Sequence, residues 1–500
     1  MKKNNPPETL AAIDLGSNSF HMIVANLREG ELHVIDRLKD MVRLASGLDS
    51  QNNLTEDAQQ RAIASLEKFG QRLRDLPPGS VRAVGTNTLR CAKNSWQFLL
   101  EAERVLGHPV DIISGMEEAR LIYLGVARSL ASDGQHRLVM DIGGGSTEFI
   151  IGTDTSPHRK QSLHMGCVSM SQKYFPDGKI SEKRFNKAVL AAEQELGPIK
   201  SAFLSDGWEQ AVGASGTLRA VRKVLLAAGW SRGGITRDGL EELKSALLEH
   251  SHTDQLDLPE LNPERAPVFP GGVAIIYATF KSLDIEKMAI SDGALREGLL
   301  TDLIGRILHS DSRSNSVNQL AKRYSVDETH SQRIITTLNS WAEELNFKTE
   351  AAMQWLEWAT KLHEIGIAIS HSQYHKHSAY IIENTDIAGF SQQDQKLLAT
   401  LVRAHRRKFP IALFGELPKP WDKSAIPLAV MLRLAALLHR SRHSDPLPII
   451  KSQISKNTLK ISFPSGWLQD NRLTQADLEQ EAAYLEAAEI RLIVAERTDD

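Results

Sequence analysis

Cysteine is nearly absent from this chain: Cys91 and Cys167 are the only two in 500 residues. Two thiols cannot build a disulfide framework, which favours a reducing compartment. Long apolar runs are missing as well. No stretch approaches the ~18 apolar residues of a membrane span. The start "MKKNNPPETL" follows its two lysines with no apolar stretch of the kind a secretory leader carries. A soluble, cytoplasmic protein is expected, and the sequence holds no readable signal for peripheral membrane association. A P-loop is lacking too. "PDGKIS" supplies Gly178-Lys179, but Lys173 stands where the first glycine of G-x-x-x-x-G-K-[ST] belongs. Any phosphate grip must come from other loops.

What is present is an ordinary globular composition, 41% hydrophobic and 24% charged, which excludes a disordered or fibrous chain. At roughly 100–200 residues per domain the length predicts three or four domains. The net charge of −3 is unevenly spread. Between residues 401 and 445 nine Lys/Arg stand against three acids (Glu416, Asp422 and Asp445), so the remainder is acidic. A local positive field suits a polyanionic ligand, although charge runs also serve as solvated faces.

An internal repeat organises the first half. "AAIDLGSNSFHMIV" (11–24) and "LVMDIGGGSTEFIIG" (138–152) align at an offset of 127, matching Asp14 with Asp141, Gly16 with Gly143, Ser19 with Ser146 and Ile23 with Ile150. Each reads as strand, small-residue turn and strand, and two copies at domain-length separation predict a duplicated fold. After the first copy, "ELHVIDRLKDMVRL" has strand character. "LTEDAQQRAIASLEKFGQRLRDL" places Ala58, Ala62, Leu66, Phe69 and Leu73 on one helical face, and "VRAVGTNTLR" reads as a strand ending in a polar turn. "EQAVGASGTLRAVRKVLLAAG" and "MAISDGALREGLLTDLIG" repeat the strand–turn–helix grammar. The first ~310 residues therefore read as two α/β domains with a cleft between them.

Glycine and small hydroxyl residues at a turn let backbone N–H groups converge on an anion. Gly16, Ser17, Asn18 and Ser19 in one turn, and Gly143, Gly144, Gly145, Ser146 and Thr147 in the other, are candidate phosphate contacts. Asp14, Asp141 and Glu148 would repel a bare polyanion. They make sense if Mg²⁺, commonly held by one or two carboxylates plus substrate, sits between acids and phosphate. A strand-end acid can also simply accept a loop N–H. In "ISGMEEARLIYLGVARSL" Ser114 and Glu117 form a capping-box pattern, which explains Glu117 structurally. Glu118 lies ~100° further round the helix without that duty. It is a candidate base for orienting an attacking water, and Arg90 a candidate clamp on the transferring phosphoryl group.

The blocks "IDLGSNSFHM", "GTNTLR", "ISGMEEARLIY", "DIGGGSTE", "MGCVS", "VGASGT" and "SDGALREG" occur in order from about Ala11 to Asp311. Together they resemble the exopolyphosphatase/guanosine pentaphosphate phosphohydrolase family of the actin-like ATPase and sugar kinase superfamily. "HKHSAYIIENTDIAGFSQQDQKLLATLVRAHRRK" extends the likeness, most similar to the exopolyphosphatase branch. The resemblance implies two duplicated actin-like (ribonuclease H-like) domains, an all-α HD-like domain and a small α+β C-terminal cap, over residues 1–130, 131–310, 311–445 and 446–500. It implies processive release of orthophosphate from inorganic polyphosphate, with Mg²⁺ or another divalent cation, in a homodimer that binds no nucleic acid. Glu118 becomes the general base, and Asp141, Glu148 and Asp14 the metal-associated acids. Arg90, the two turns and Ser215 of "VGASGT" become phosphate contacts. Alternatives are conversion of guanosine pentaphosphate to tetraphosphate, with either nucleotide as substrate or inhibitor, and a nonhydrolytic polyphosphate- or nucleotide-sensing protein. Retention of Glu118 argues against the last.

From about Asp311 the pattern turns helical. "HEIG" at His363–Gly366 resembles the HD phosphohydrolase fold, in which a His-Asp pair helps ligate metal, with Glu364 here in place of the Asp. His330, His375, His377 and His405 are further possible ligands. Lone helical histidines are more often packed or surface residues, so a non-catalytic domain is expected. Arg403, His405, Arg406, Arg407 and Lys408 are the expected distal polyphosphate track. "KNTLKISFPSGWLQD" and "LTQADLEQEAAYLEAAEIRLIVAE" predict strands, an acidic helix and a last strand. Cys91 and Cys167 read as packing residues, Cys167 with access to the cleft.

Overall fold

A computed structural model describes residues 7–28, 31–308, 311–344, 349–443, 446–455, 457–486 and 488–497. Asp445, the boundary positions 310 and 445, and the opening "MKKNNP" lie outside the described residues. The chain divides into two compact units, Met1–Asp311 and Ser312–Asp500.

The N-terminal unit contains two sheets built to one plan. In the first, β1 (Thr9–Leu15) pairs antiparallel with β2 (Phe20–Arg28), which pairs with β3 (Glu31–Asp40). On the other side of β1 lie the parallel strands β4 (Val81–Gly85) and β5 (Val110–Ile112). In the second, β6 (His136–Ile142), β7 (Thr147–Thr153) and β8 (Ser156–Leu163) repeat the antiparallel run. Beside β6 lie β9 (Gln210–Gly213), the short β10 (Ile235–Thr236) and β11 (Lys287–Ile290), in the order β6-β9-β11-β10. The offset of 127 carries Leu15 onto Ile142 and Phe20 onto Thr147, strand end onto strand end.

Strand parity decides where the acids go. Along β1, Ala11, Ile13 and Leu15 pack into an outer core with the Glu56–Leu73 helix, while Leu10 and Ala12 enter a second core. Val139 and Ile150 of the other sheet join that same second core, together with residues of the helices Gly115–Arg128 and Leu295–Ile307. The two sheets thus share one central core. Side chains alternate with period two, so Asp14 follows Ala12 and Asp141 follows Val139 onto the inward faces. The helix face expected from Ala58 to Leu73 is buried, with Thr55 as its N-cap. The turn expected after β4 is a short helix, Asn87–Cys91, whose N–H groups are tied to Thr86 and Thr88 carbonyls. Cys91, read as a packing residue, is exposed on that helix, because its strand-like surroundings end at Gly85; Cys167 is buried.

The central helices touch backbone to backbone. A Cβ on Gly125 would overlap the Ala294 carbonyl oxygen, and one on Gly298 would overlap that of Leu121. Beside them Asp302 accepts from Arg82 (2.5 Å), Arg120 (2.5 Å) and Arg306 (3.0 Å), and Arg120 also holds Glu117 through two 2.8 Å bonds. This is why Glu117 departs from the full capping box. Ser114 accepts from its N–H, but its carboxylate goes to the buried guanidinium, a stronger charge-assisted partner.

In the C-terminal unit, helices including Glu328–Glu344, Glu350–Leu362, Tyr374–Asn384, Gln392–Ala404 and Trp421–Leu438 surround Trp355, Trp358 and Phe390. Strands β12 (Lys451–Ser455), β13 (Thr458–Pro464) and β14 (Arg491–Arg497) form a sheet whose Ile461 and Phe463 enter the same core. No described helix is long and apolar enough to cross a membrane.

Gly298→Ala should destabilise the chain by about 3 kcal/mol, because the neighbour that must yield is backbone. Gly197→Ala, with open space at its Cβ, is the control. Comparable midpoints for both in urea unfolding would contradict the close helix contact.

Candidate active site

The two turns expected to bind phosphate face each other. A Cβ on Gly144 would stand 2.8 Å from the Ser17 Cβ, and one on Gly145 would stand 2.5 Å from the Asn87 Oδ1. Only glycine permits that approach. Carbonyls of both turns are tied to neighbouring backbone, so they are not left to repel an anion. Ser17 and Asn18 oxygens accept from the Ala45 and Arg43 N–H groups (2.9 and 2.8 Å), and Gly143 and Gly144 oxygens accept from Cys167 and Val168 (3.0 and 2.9 Å).

Between the turns lies a cavity of about 520 Å³, lined by Asp14, Gly16–Ser19, Glu118, Asp141, Gly143–Ser146 and Ser215. Its size is in the range of ordinary ligand sites. Cys167 also reaches it. Glu148, the cross-strand partner of Asp141, is buried beside it, holding Ser162 Oγ at 2.8 Å. Three expected contacts are already engaged. The Thr147 hydroxyl is fully buried and donates to the Met165 carbonyl (2.5 Å), so its side chain is not offered to a ligand. Arg90 donates to Glu118 Oε2 (3.1 Å) and to the Ile113 carbonyl (2.7 Å), which makes it the partner of the candidate base. Ser215 Oγ accepts from the Leu218 N–H (3.1 Å) as an N-cap.

The acids crowd one another in a dry site. Burial pushes Asp14 up to about 7, helped by the charges of Glu118 and Asp141 and opposed by Arg296. Asp141 is likewise pushed up to about 7 by burial, then by Glu118. Glu148 rises through burial and the charges of Glu118 and Asp141, and Glu118 rises through burial while Arg90 pulls it back. Asp14 Oδ1 and Glu148 Oε2 are buried with no hydrogen-bond partner. Orphaned acidic oxygens inside a cluster that resists ionisation fit a divalent cation. The three acids Asp14, Asp141 and Glu148 do not bring their oxygens within 4.8 Å of one another, so Mg²⁺ here would take one or two of them directly and meet the rest through water and phosphate oxygens.

The cavity also carries basic side chains that were not singled out in the sequence. Arg37, Lys39, Arg219, Lys223, Arg265 and Arg296 all line the cavity. Burial and then Arg265 hold Lys39 below its usual range, and burial does the same to Arg265. His21 is pushed down to about 3 by burial, then by Arg296, so it is neutral. It accepts from Arg296 at Nδ1 (3.2 Å), so its proton sits on Nε2, 2.8 Å from Ser19 Oγ. Ser19 accepts that proton and has its own O–H left to give to a phosphate oxygen. His21 is Asp14's cross-strand partner and stands 127 residues before Glu148, so the repeat itself marked it. Arg219 has a looser mark: "VGASGTLR" shares the VG and TLR of "VGTNTLR", with three residues in place of two between them.

The expected distal track belongs to the C-terminal unit. Arg403, Arg406, Arg407 and Lys408 line a cavity of about 910 Å³ with His371, His375 and Lys376. His405 is not on that wall; it is buried, with Nδ1 bonded to the Val402 carbonyl, because it closes the Gln392–Ala404 helix from inside. Other positive charges of the 401–443 segment are spent locally. Arg433 is fully buried against Glu481, Arg440 pairs with Asp477, and Arg442 with Glu364 and Asp327.

The Ppx/GppA phosphatase family profile matches residues 23–307, and the profile of that family's domain III matches residues 312–482. The chain belongs to the Ppx/GppA phosphatase family. It is 40% identical over 475 residues to a guanosine-5'-triphosphate,3'-diphosphate pyrophosphatase of Aeromonas hydrophila, covering 94% of this chain and 95% of that one. A protein of the same name from Pseudoalteromonas translucida is 38% identical over 488 residues, covering 97% and 98%. Among solved structures, the Aquifex aeolicus PPX-GPPA enzyme superposes with a TM-score of 0.51 at 26% identity, over 59% of this chain and 99% of that one. An exopolyphosphatase from Cytophaga hutchinsonii gives 0.53 at 24%, over 60% and 98%, and shares the fold. The α/β duplication read from the sequence is thus the actin-like fold of this family, and the chain is a phosphatase acting on phosphoanhydrides.

In chelator, the acid cluster sets the pH dependence of stability. Asp14 and Asp141 ionise near 4 when unfolded and near 7 when folded, so between those values the native state binds more protons. Stability is therefore expected to fall as pH rises from about 4 to about 7, by on the order of 4 kcal/mol per group if each acted alone. Melting temperatures of the wild type and of Asp14→Asn/Asp141→Asn should diverge at pH 8, with the variant higher, and converge only at or below about pH 4. A wild type as stable as the variant at pH 8 would contradict the crowding.

Proposed function

We propose that this chain removes the 5'-terminal phosphate of guanosine 5'-triphosphate 3'-diphosphate, releasing orthophosphate and the corresponding tetraphosphate. The observation that carries the reading is one cavity lined both by the acids and by six basic side chains. One phosphate group of the substrate would lie between the two turns, and a second, on the other end of the ribose, would meet Arg37, Lys39, Arg219, Lys223 and Arg265. The names of the relatives support this nucleotide over the polymer that the basic 401–445 segment first suggested.

In the reaction, a water attacks the terminal phosphorus, the P–O bond to the bridging oxygen breaks, and the water's proton passes to Glu118. Raised by burial, Glu118 is a better proton acceptor than a solvated carboxylate, while Arg90 keeps a fraction of it ionised and fixes its aim. Mg²⁺ held within the Asp14, Asp141 and Glu148 cluster, by one or two of these acids directly and the rest through water, would neutralise phosphate charge and orient the chain of phosphates. The turn N–H groups and the Ser19 hydroxyl, aligned by His21, hold the transferring group.

A second reading, exopolyphosphatase, is favoured by one observation: the C-terminal cavity lined by Arg403, Arg406, Arg407 and Lys408. Phosphate release from the guanosine pentaphosphate and from long-chain polyphosphate separates the two. A higher kcat/KM for the nucleotide is expected, and preference for the polymer reverses the assignment.

Glu118→Gln should lower kcat by about 10²- to 10⁴-fold with little change in nucleotide binding; unchanged turnover removes the base. Arg265→Ala should raise KM for the pentaphosphate more than for GTP, which lacks the 3'-diphosphate. Equal effects on both would place the basic side chains elsewhere in recognition.

A further inference from the structure

The C-terminal unit holds a cluster of proton-free donors that the phosphatase chemistry does not use. His330, His363 and Glu364 each offer one ligand atom within 4.8 Å of the others, and among the described residues no other His/Cys/Asp/Glu group does so. Both histidines are more than nine-tenths buried, at 3% and 2% exposure. They come from different elements, His330 from the Glu328–Glu344 helix and His363 from the end of Glu350–Leu362.

Hydrogen bonding fixes which nitrogens carry protons. His363 Nδ1 lies 2.6 Å from the Thr360 carbonyl oxygen, which can only accept. The proton is therefore on Nδ1, and Nε2 presents a lone pair. That lone pair stands 3.9 Å from Glu364 Oε1, also an acceptor. Two acceptors facing each other across such a gap repel unless a cation lies between them. His405 repeats the arrangement: Nδ1 donates to the Val402 carbonyl (2.6 Å), and Nε2 is buried without a partner. Its ring centroid is 5.1 Å from that of His363, at a right angle. His330 Nδ1 is also buried without a partner. An imidazole whose other nitrogen is held by a backbone carbonyl is the usual posture of a metal ligand.

We propose that His330, His363 and Glu364 form a binding site for a first-row transition cation of the Zn²⁺ class. Two imidazoles and one carboxylate, with the remaining position left to water, suit such an ion and do not suit Mg²⁺ or Ca²⁺, which take oxygen ligands. Arg442 stands in for the cation when none is bound. Its Nη2 holds both Glu364 oxygens at 2.7 Å and its Nη1 reaches Asp327 at 3.1 Å. The Arg442 side chain is 42% exposed, so it can leave for solvent when a metal takes the carboxylate. Arg442 is a competitor for this site, and its removal favours the metal.

The test uses the full chain, stripped with chelator and then saturated with Mg²⁺ so that the acidic cavity is not counted. Zn²⁺ affinity is read by competition with a chromophoric chelator, and Co²⁺ is added separately for its visible absorption. One equivalent of Zn²⁺ should bind, with an intense Co²⁺ band typical of low-coordinate nitrogen and oxygen ligation. Glu364→Gln and His330→Gln should each weaken Zn²⁺ by about tenfold or more, and Arg442→Gln should strengthen it. Arg442 is at the surface, so that variant keeps the test decisive even where a buried histidine variant fails to fold. Zn²⁺ affinity indifferent to Glu364→Gln and Arg442→Gln, or a weak octahedral Co²⁺ spectrum, overturns the site.

Discussion

Four carboxylates, Asp14, Glu118, Asp141 and Glu148, are buried around one cavity, and their mutual repulsion is the constraint to which the rest of the N-terminal unit answers. Each is held above its usual range by burial. Such a cluster persists only on a rigid frame, because any relaxation would carry the acids to water. The frame is the glycine-close helix pair between the sheets, braced by the Asp302 arginines. Basic side chains lining the same cavity complete the field. Acids alone would invite a cation and bases alone an anion; both together suit the metal-bound phosphate chain proposed as substrate.

The duplication keeps one strand order, three antiparallel strands followed by two parallel ones, and is broken in chemistry. At the position where the second copy carries Glu148, the first carries His21, neutral and bonded to Arg296 and Ser19. Where the first carries Arg90, bound to Glu118, the second carries Arg219, which reaches the Ser291 carbonyl and lines the cavity. One repeat therefore supplies the proposed base and its partner, and the other supplies two of the three acids proposed for the metal. The two-fold frame brings the groups together, and the substitutions within it divide their roles.

Much of this was legible in the chain. The offset of 127 located both turns and both aspartates, and parity along β1 and β6 then dictates their shared inward face. Ser114 and the helical spacing separated Glu117 from Glu118. Most of the basic side chains were not legible, because Arg37 and Lys39 come from β3, and Lys223 and Arg265 from distant segments with no common motif. Nor could the charge run of 401–445 reveal that Arg433 is consumed by Glu481 in the core. Sequence registers charge, whereas pairing is a property of the fold. His21 and Arg219 lay between these cases: the repeat marked them, but only chemistry like that of their counterparts would have drawn notice.

The most direct measurement of the central claim is calorimetric titration of the chain with Mg²⁺ at pH 7 in buffers of different ionisation enthalpy. With Asp14 and Asp141 near 7, metal binding must expel protons. The account requires proton release that disappears in Asp14→Asn/Asp141→Asn. Binding without proton release, or with the same release in that variant, would contradict it.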